Sequence, residues 1–151
     1  MIIMQTIKKN WEESKKNYID WWAGKGLVIT MWEACKKEGL PHFTAVEPEQ
    51  PVSLEQRWFD PEWRAVQLNH EMSVSSMLAD IPPVANTQLG PGSMAAILGA
   101  RLEAREDTIW IRHKEDWDGQ IKLDPANEWW KLHLDLLKAC KAKAGGKYYV
   151  G

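Results

Sequence analysis

Apolar residues along this chain follow three different rhythms, and each predicts a different element. Ile7, Trp11, Tyr18 and Trp22 recur at helical spacing between Thr6 and Ala23 with lysines opposite, which predicts an amphipathic helix stopped at Gly24 and Gly26. The rhythm then collapses into a continuous run, Gly26-Leu-Val-Ile-Thr-Met-Trp32, rich in β-branched residues. Such a run predicts a core strand covered on both faces. From Glu38 to Gln56 the sequence is polar and carries Pro41, Pro48 and Pro51, as a long surface loop does.

Two further helices share one start signal. Phe59-Asp60-Pro61-Glu62 and Leu123-Asp124-Pro125-Ala126 each place an aspartate at the N-cap and a proline at the first helical position, where its missing N–H is harmless. The first helix is expected to run to about Leu78 and the second from Pro125 to about Ala144, where Gly145-Gly146 ends it. Between them, Val84 to Leu89 mixes β-formers with polar residues and stops at Gly90-Pro91-Gly92. A strand, a tight turn and a short helix holding Ala95 and Ala96, capped by Gly92 or Ser93, are expected there. Free N–H groups at that helix start would favour an anion, although a plain turn with close packing explains the same residues. Asp107 to Ile111 reads as a short strand, a loop follows around Asp116 to Gly119 before Gln120 to Leu123, and Lys147 to Val150 begins a last strand.

The order is βαβαβ in outline after an N-terminal helix, so the expected class is α/β with about three parallel strands. Residues 1–151 form a single α/β unit on this reading. Three such strands leave an exposed sheet edge, which proteins ordinarily cover.

Composition narrows the possible functions. A chain of 151 residues, 44% hydrophobic and 26% charged, is ordinary for a globular domain and excludes disorder or a fibre. Its net charge of −2, with only short basic pairs such as Lys8-Lys9 and Lys36-Lys37, offers no footprint for nucleic acid. No apolar run reaches the length of a membrane span, so a cytoplasmic protein without membrane contact is expected.

Cys35 and Cys140 are far apart and lack a Cys-x-x-Cys partner, so reduced thiols are expected and no metal site is assigned. Cys140 falls on one helix stripe with Trp129, His133 and Leu136, and His70 lies between Val66 and Val74. These histidines read as core residues more readily than as ligands. His42 and His113 lie in loop or strand-end positions and take no role.

Several segments in this order resemble the N-terminal part of the uroporphyrinogen decarboxylase superfamily. They are Trp21-Trp22-Ala-Gly-Lys-Gly-Leu-Val28, Phe59-Asp60-Pro61, Leu89-Gly90-Pro91-Gly92 with Leu98-Gly99-Ala100, Asp107-Thr-Ile-Trp110, and Lys147-Tyr-Tyr-Val-Gly151. The resemblance implies the first three strands of a (β/α)8 TIM-type barrel, with this chain covering about the first two-fifths of a member of roughly 250 residues or more. It also implies a parent that is a lyase of the decarboxylase type or a corrinoid-linked methyltransferase. Zinc or a corrinoid would then belong to the parent, its ligands beyond residue 151, and no cofactor to this chain.

Two departures from the family pattern argue against uroporphyrinogen itself as substrate. The family's Arg-Gln-Ala-Gly-Arg motif after the first strand is replaced by Met31-Trp-Glu-Ala-Cys-Lys-Lys37, which has no arginine. The acidic residue near the end of the second strand becomes Asn86 or Gln88, neither of which carries charge. Four acetate groups and a ring of pyrrole N–H donors need arginine forks and a carboxylate.

Because barrel enzymes act at the C-terminal ends of their strands, the expected ligand-binding residues are Trp32 and Glu33 after the first strand and Asn86 and Gln88 after the second. Trp32 offers a stacking face and the amides offer paired donors and acceptors. The plainer readings are core packing for Trp32 and solvation for Glu33. No catalytic residue is assigned. The expected partners are a small-molecule ligand and either a second copy of the chain or the remainder of the barrel; a self-associating or tetrapyrrole- or corrinoid-binding module without catalysis is the alternative.

Overall fold

The computed structural model describes residues 7–112 and 123–151. Its elements in chain order begin with α1 (Trp11–Trp22), β1 (Thr30–Glu33), α2 (Leu54–Phe59), α3 (Pro61–Val74), β2 (Ser76–Ala79) and β3 (Val84–Ala85). They continue with α4 (Ser93–Ile97), β4 (Arg101–Ala104), β5 (Ile109–Arg112), α5 (Glu128–Ala144) and β6 (Tyr149–Val150). Thr6, His113, the loop around Asp116 to Gly119 and residues 120–122 lie outside the described residues.

The core forms where α3 packs against α5 and both cover one face of β3 and β6. Ala65, Leu68 and Met72 of α3 meet Leu136, Cys140 and Ala144 of α5, each set at one-turn spacing. Ala85, Leu89 and Tyr148 complete the cluster from the strand side. The Tyr148 hydroxyl donates to Asn69 Oδ1 at 2.9 Å, and its ring stacks on Phe43 at 5.9 Å between centroids. Burial of the phenol pushes its pKa well above the ordinary tyrosine value.

The α/β class stands in its coarse form, and the strand arrangement differs from the expected one. Among the described residues only β3 and β6 are parallel, with Val84 opposite Tyr149 and Ala85 opposite Val150. Further bonds from Tyr149 N to Pro83 O, Gly151 N to Ala85 O and Thr87 N to Gly151 O extend the pairing on both sides. β1 pairs antiparallel with β2, and β4 pairs antiparallel with β5. No barrel closes among the described residues, which hold three separate strand pairs.

Each departure has a local cause. The run from Gly26 to Trp32 yields a strand only from Thr30, and it lies at the surface instead of inside: Leu27 is 71% exposed and Trp32 53%. Its partner β2 uses residues expected in the preceding helix. α3 stops at Val74, where the Ser75 hydroxyl donates to Glu71 O at 2.6 Å and Ser75 turns extended. Leu98-Gly99-Ala100 ends α4 and opens a hairpin whose first strand, Arg101–Ala104, carries no distinct signal of its own.

The two Asp-Pro signals also part company. Asp60 caps α3 as expected, its Oδ1 accepting from the N–H groups of Glu62 and Trp63. Asp124 only closes a turn on Ala126 N, and Asn127 caps α5 by accepting from Trp129 and Trp130. The helix therefore begins at Glu128, not Pro125, and ends as expected at Ala144 with Gly145 left-handed at φ 53°.

The N-terminal helix begins later than expected, at Trp11, and buries Ser14 alone. It docks through a polar cluster. The Ala79 carbonyl accepts from Lys8 Nζ (2.5 Å), Asn10 Nδ2 (3.3 Å) and Ser14 Oγ (3.3 Å). The neighbouring carboxylate of Asp80 accepts from Asn17 Nδ2 at 2.8 Å and from Ile29 N at 3.2 Å. Ala79 itself sits at φ 46°, a left-handed conformation that turns this carbonyl toward α1.

Candidate functional site

From Pro83 to Leu89 the chain alternates strictly, residue by residue, between buried and exposed positions. Ala85, Thr87 and Leu89 go into the core, so Val84, Asn86 and Gln88 must point the opposite way. All three line a cavity of ≈ 480 Å³, which Ala85 and the end of the core also border. One face of α3 forms its floor: Arg64, Leu68, Glu71, Met72 and Ser75 are separated by the steps of a single helical stripe. Trp32 and Met77, directly opposite each other across β1 and β2, close one side, and Trp58 of α2 closes another. The volume lies within the range of about 300–1,000 Å³ that holds small organic ligands.

Three of the four residues expected to bind ligand therefore meet. Trp32, Asn86 and Gln88 share the cavity, although they come from different strand pairs. Asn86 Oδ1 accepts from Gln88 N at 3.0 Å, which fixes the side chain and leaves its amide N–H groups as donors. Glu33 does not line the cavity. Its carboxylate pairs with Lys37 Nζ at 2.8 Å and also accepts from the Cys35 thiol, and the Lys37 bond holds its pKa below the ordinary glutamate range. Side chains alternate along β1, so if Trp32 faces the cavity, Glu33 cannot.

The anion expected above the Gly-Pro-Gly turn has no room. A Cβ on Gly92 would lie 2.5 Å from Ile111 Cγ1 and 3.1 Å from Leu102 Cδ2, so the hairpin β4–β5 occupies that space. Gly90 adopts φ 74°, and the Ser93 hydroxyl accepts from Leu89 N and donates to Gly90 O, which closes the turn on itself. The glycines serve packing and turn geometry.

Arg64 escaped the reading of the sequence. The signal was a charged residue four positions before Leu68 on the apolar stripe of a helix, where a solvated arginine does not belong. Its side chain lies over Trp58 with Cζ 5.7 Å from the ring centroid, and burial lowers its pKa from the ordinary arginine value. Trp58 is held in turn, donating from Nε1 to Arg105 O at 2.7 Å. Glu71, at the accessible side of the same floor, has its carboxyl pKa raised by desolvation, against the pull of Arg64 and a 3.0 Å bond from Gln67 Nε2.

Metal chemistry finds no support in the donor set. Among the described residues no three His, Cys, Asp or Glu side chains converge. Cys35 is exposed near β1, whereas Cys140 is buried on α5 with its thiol pushed up to about 11, and no step through zinc follows from either. Among the described residues no helix is long and apolar enough to cross a membrane. Compared with protein-family models, with curated proteins and with solved structures, the chain gives no match.

Proposed function

We propose that the cavity is a small-molecule site and that the chain is the N-terminal part of a uroporphyrinogen decarboxylase-like protein. The observation that carries this reading is the meeting of Trp32, Asn86 and Gln88 around one cavity beside the Gly-Pro-Gly turn. The parallel pair β3 and β6, joined through α4, the hairpin β4–β5 and α5, supports the same reading, since two successive barrel strands are parallel and joined through a helix. The parent is then a decarboxylase or corrinoid-linked methyltransferase acting on something other than uroporphyrinogen, and the chain alone supplies binding rather than turnover. Asn86 and Gln88 orient the ligand through donors and acceptors, and Trp32 covers its apolar face.

The test is a titration of planar aromatic acids and amides, with cobalamin and a porphyrin beside them, into the 15N-labelled chain. Joint shifts of the Asn86 and Gln88 side-chain amides and the Trp32 indole are expected for the small ligands. Shifts confined to tryptophans outside the cavity, such as Trp21, Trp22 and Trp110, would refute the assignment.

Self-association is a second reading, favoured by the apolar surface left around the strand pairs. Met31, Trp32, Val84 and Tyr149 are all exposed. Sedimentation of the chain across a hundredfold concentration range decides it: a constant monomer mass removes this reading and leaves the cavity untouched.

A further inference from the structure

Arg64 is the feature of this cavity that packing does not account for. It is only 8% exposed, it lines the cavity, and its Nε is buried without a hydrogen-bond partner. Among the described residues its guanidinium makes no ion pair or hydrogen bond; its neighbours are the Trp58 ring and, farther off, the Glu71 carboxyl and the buried Cys140 thiol. Arg57 lies over the same ring, with Cζ 5.4 Å from the centroid, which adds positive potential and no acceptor. A buried guanidinium N–H left without an acceptor carries a desolvation cost, and the remaining donors of the fork stand at the cavity with no protein acceptor among the described residues.

We propose that Arg64 is the anion subsite of the cavity and takes the carboxylate of a small, flat organic acid, whose body lies between Trp32 and the amides of Asn86 and Gln88. The proposal rests on the cavity being a ligand site, as argued above, and adds the class of ligand. A carboxylate matches the planar fork of arginine through two parallel bonds. One guanidinium with the Glu71 carboxyl on the same floor suits a single negative charge and disfavours a phosphate ester of two. The apolar remainder of the wall, Leu68, Met72 and Met77, suits a hydrocarbon body.

The test pairs each acid with its neutral amide: benzoate with benzamide, and indole-3-acetate with indole-3-acetamide. Spectra of the 15N-labelled chain follow the Arg64 Nε–H signal and the indole N–H signals of Trp32 and Trp58. Each acid should bind about tenfold or more tightly than its amide and shift the Arg64 signal. Arg64→Met should abolish that preference while unfolding, without ligand, at an equal or higher temperature, since it removes an unmatched buried charge. Arg64→Lys keeps the charge without the fork and should retain only part of the preference, which serves if the methionine variant fails to fold.

Equal affinity for acid and amide overturns the anion subsite and leaves the cavity reading in place, as does an acid preference that survives Arg64→Met or is undiminished in Arg64→Lys. No shift at any cavity residue with any of the four probes overturns both.

Discussion

Helices α1 and α5 are both amphipathic and both carry a tryptophan pair, yet they are attached to the molecule by opposite means. α5 contributes Leu136, Cys140 and Ala144 to a continuous apolar contact with α3. α1 buries a single serine and is held by donors that converge on the carbonyl of Ala79 and the carboxylate of Asp80. Its paired rings lie outside: Trp22 is 79% exposed and packs edge-on against Trp21 at 5.0 Å. The lesson is that apolar periodicity reports a helix, while the way the helix is fastened depends on what the rest of the chain presents to it. Non-directional burial tolerates small shifts of α5 on α3; the α1 attachment is a matter of angles and distances around Ala79 and Asp80 and of one bond from Trp11 Nε1 to the Tyr149 hydroxyl at 3.2 Å.

This contrast can be broken most strongly from the apolar side. Leu136→Ala should cost about 2–5 kcal/mol of global stability, read from urea or thermal unfolding, because Leu136 is fully enclosed. A cost below about 1 kcal/mol would mean that α3 and α5 can collapse onto the gap, and the α5 attachment would have to be described differently.

Asp80→Ala should do less to global unfolding and more to α1. Native-state hydrogen exchange should show α1 amides losing protection while those of α5 keep theirs, since the variant frees Asn17 and Ile29 N and leaves the apolar cluster intact. The same logic sets an acid dependence. The Asn17 bond, followed by the Ile29 bond, holds the folded pKa of Asp80 below the ordinary aspartate value. Its contribution is thus fully present above the unfolded pKa and is lost as pH falls through the lower folded one. Detachment of α1 should therefore track strong acid and not the range between neutrality and pH about 5. Equal loss of protection in α1 and α5 would sink the distinction.

Ala79→Gly is the mildest change and the sharpest. It keeps the carbonyl and its three donors while removing the left-handed cost of a Cβ, about 1–2 kcal/mol, against the added freedom of glycine in the unfolded chain. A net gain of a few tenths to about 1 kcal/mol in thermal unfolding is expected. A loss would show that the left-handed conformation of Ala79 costs less than the added freedom of glycine in the unfolded chain.

The parts of the fold that could be read in the sequence are those decided within one turn of chain. Asp60-Pro61 starts α3 because cap and proline act on their own neighbours, and Gly145 ends α5 for the same reason. Asp124-Pro125 misled because Asn127, three residues on, offers its own side chain to Trp129 and Trp130. The run from Gly26 to Trp32 misled for another reason: an apolar run reports a preference for burial, but whether a partner face exists is settled elsewhere in the molecule. Trp32, Asn86 and Gln88 were expected near one another as residues at strand ends, and they line one cavity; Glu33, expected with them, is turned away because side chains alternate along β1. For Arg64 the spacing showed only a charge on an apolar stripe; that it lacks a partner is recorded by no spacing.

The hairpin β4–β5 has two grips on the rest of the chain. Ile111 closes over Gly92 without space for a methyl group, and the Arg105 carbonyl holds the Trp58 indole on which Arg64 rests. Gly90 of the turn and the Trp58 ring both line the cavity, so the hairpin is fastened to its wall at two places. Ile111 faces Gly92, so its strand neighbour Trp110 stands on the other side of the hairpin, 56% exposed: one ribbon of chain braces the turn beside the cavity with one face and bares an indole on the other.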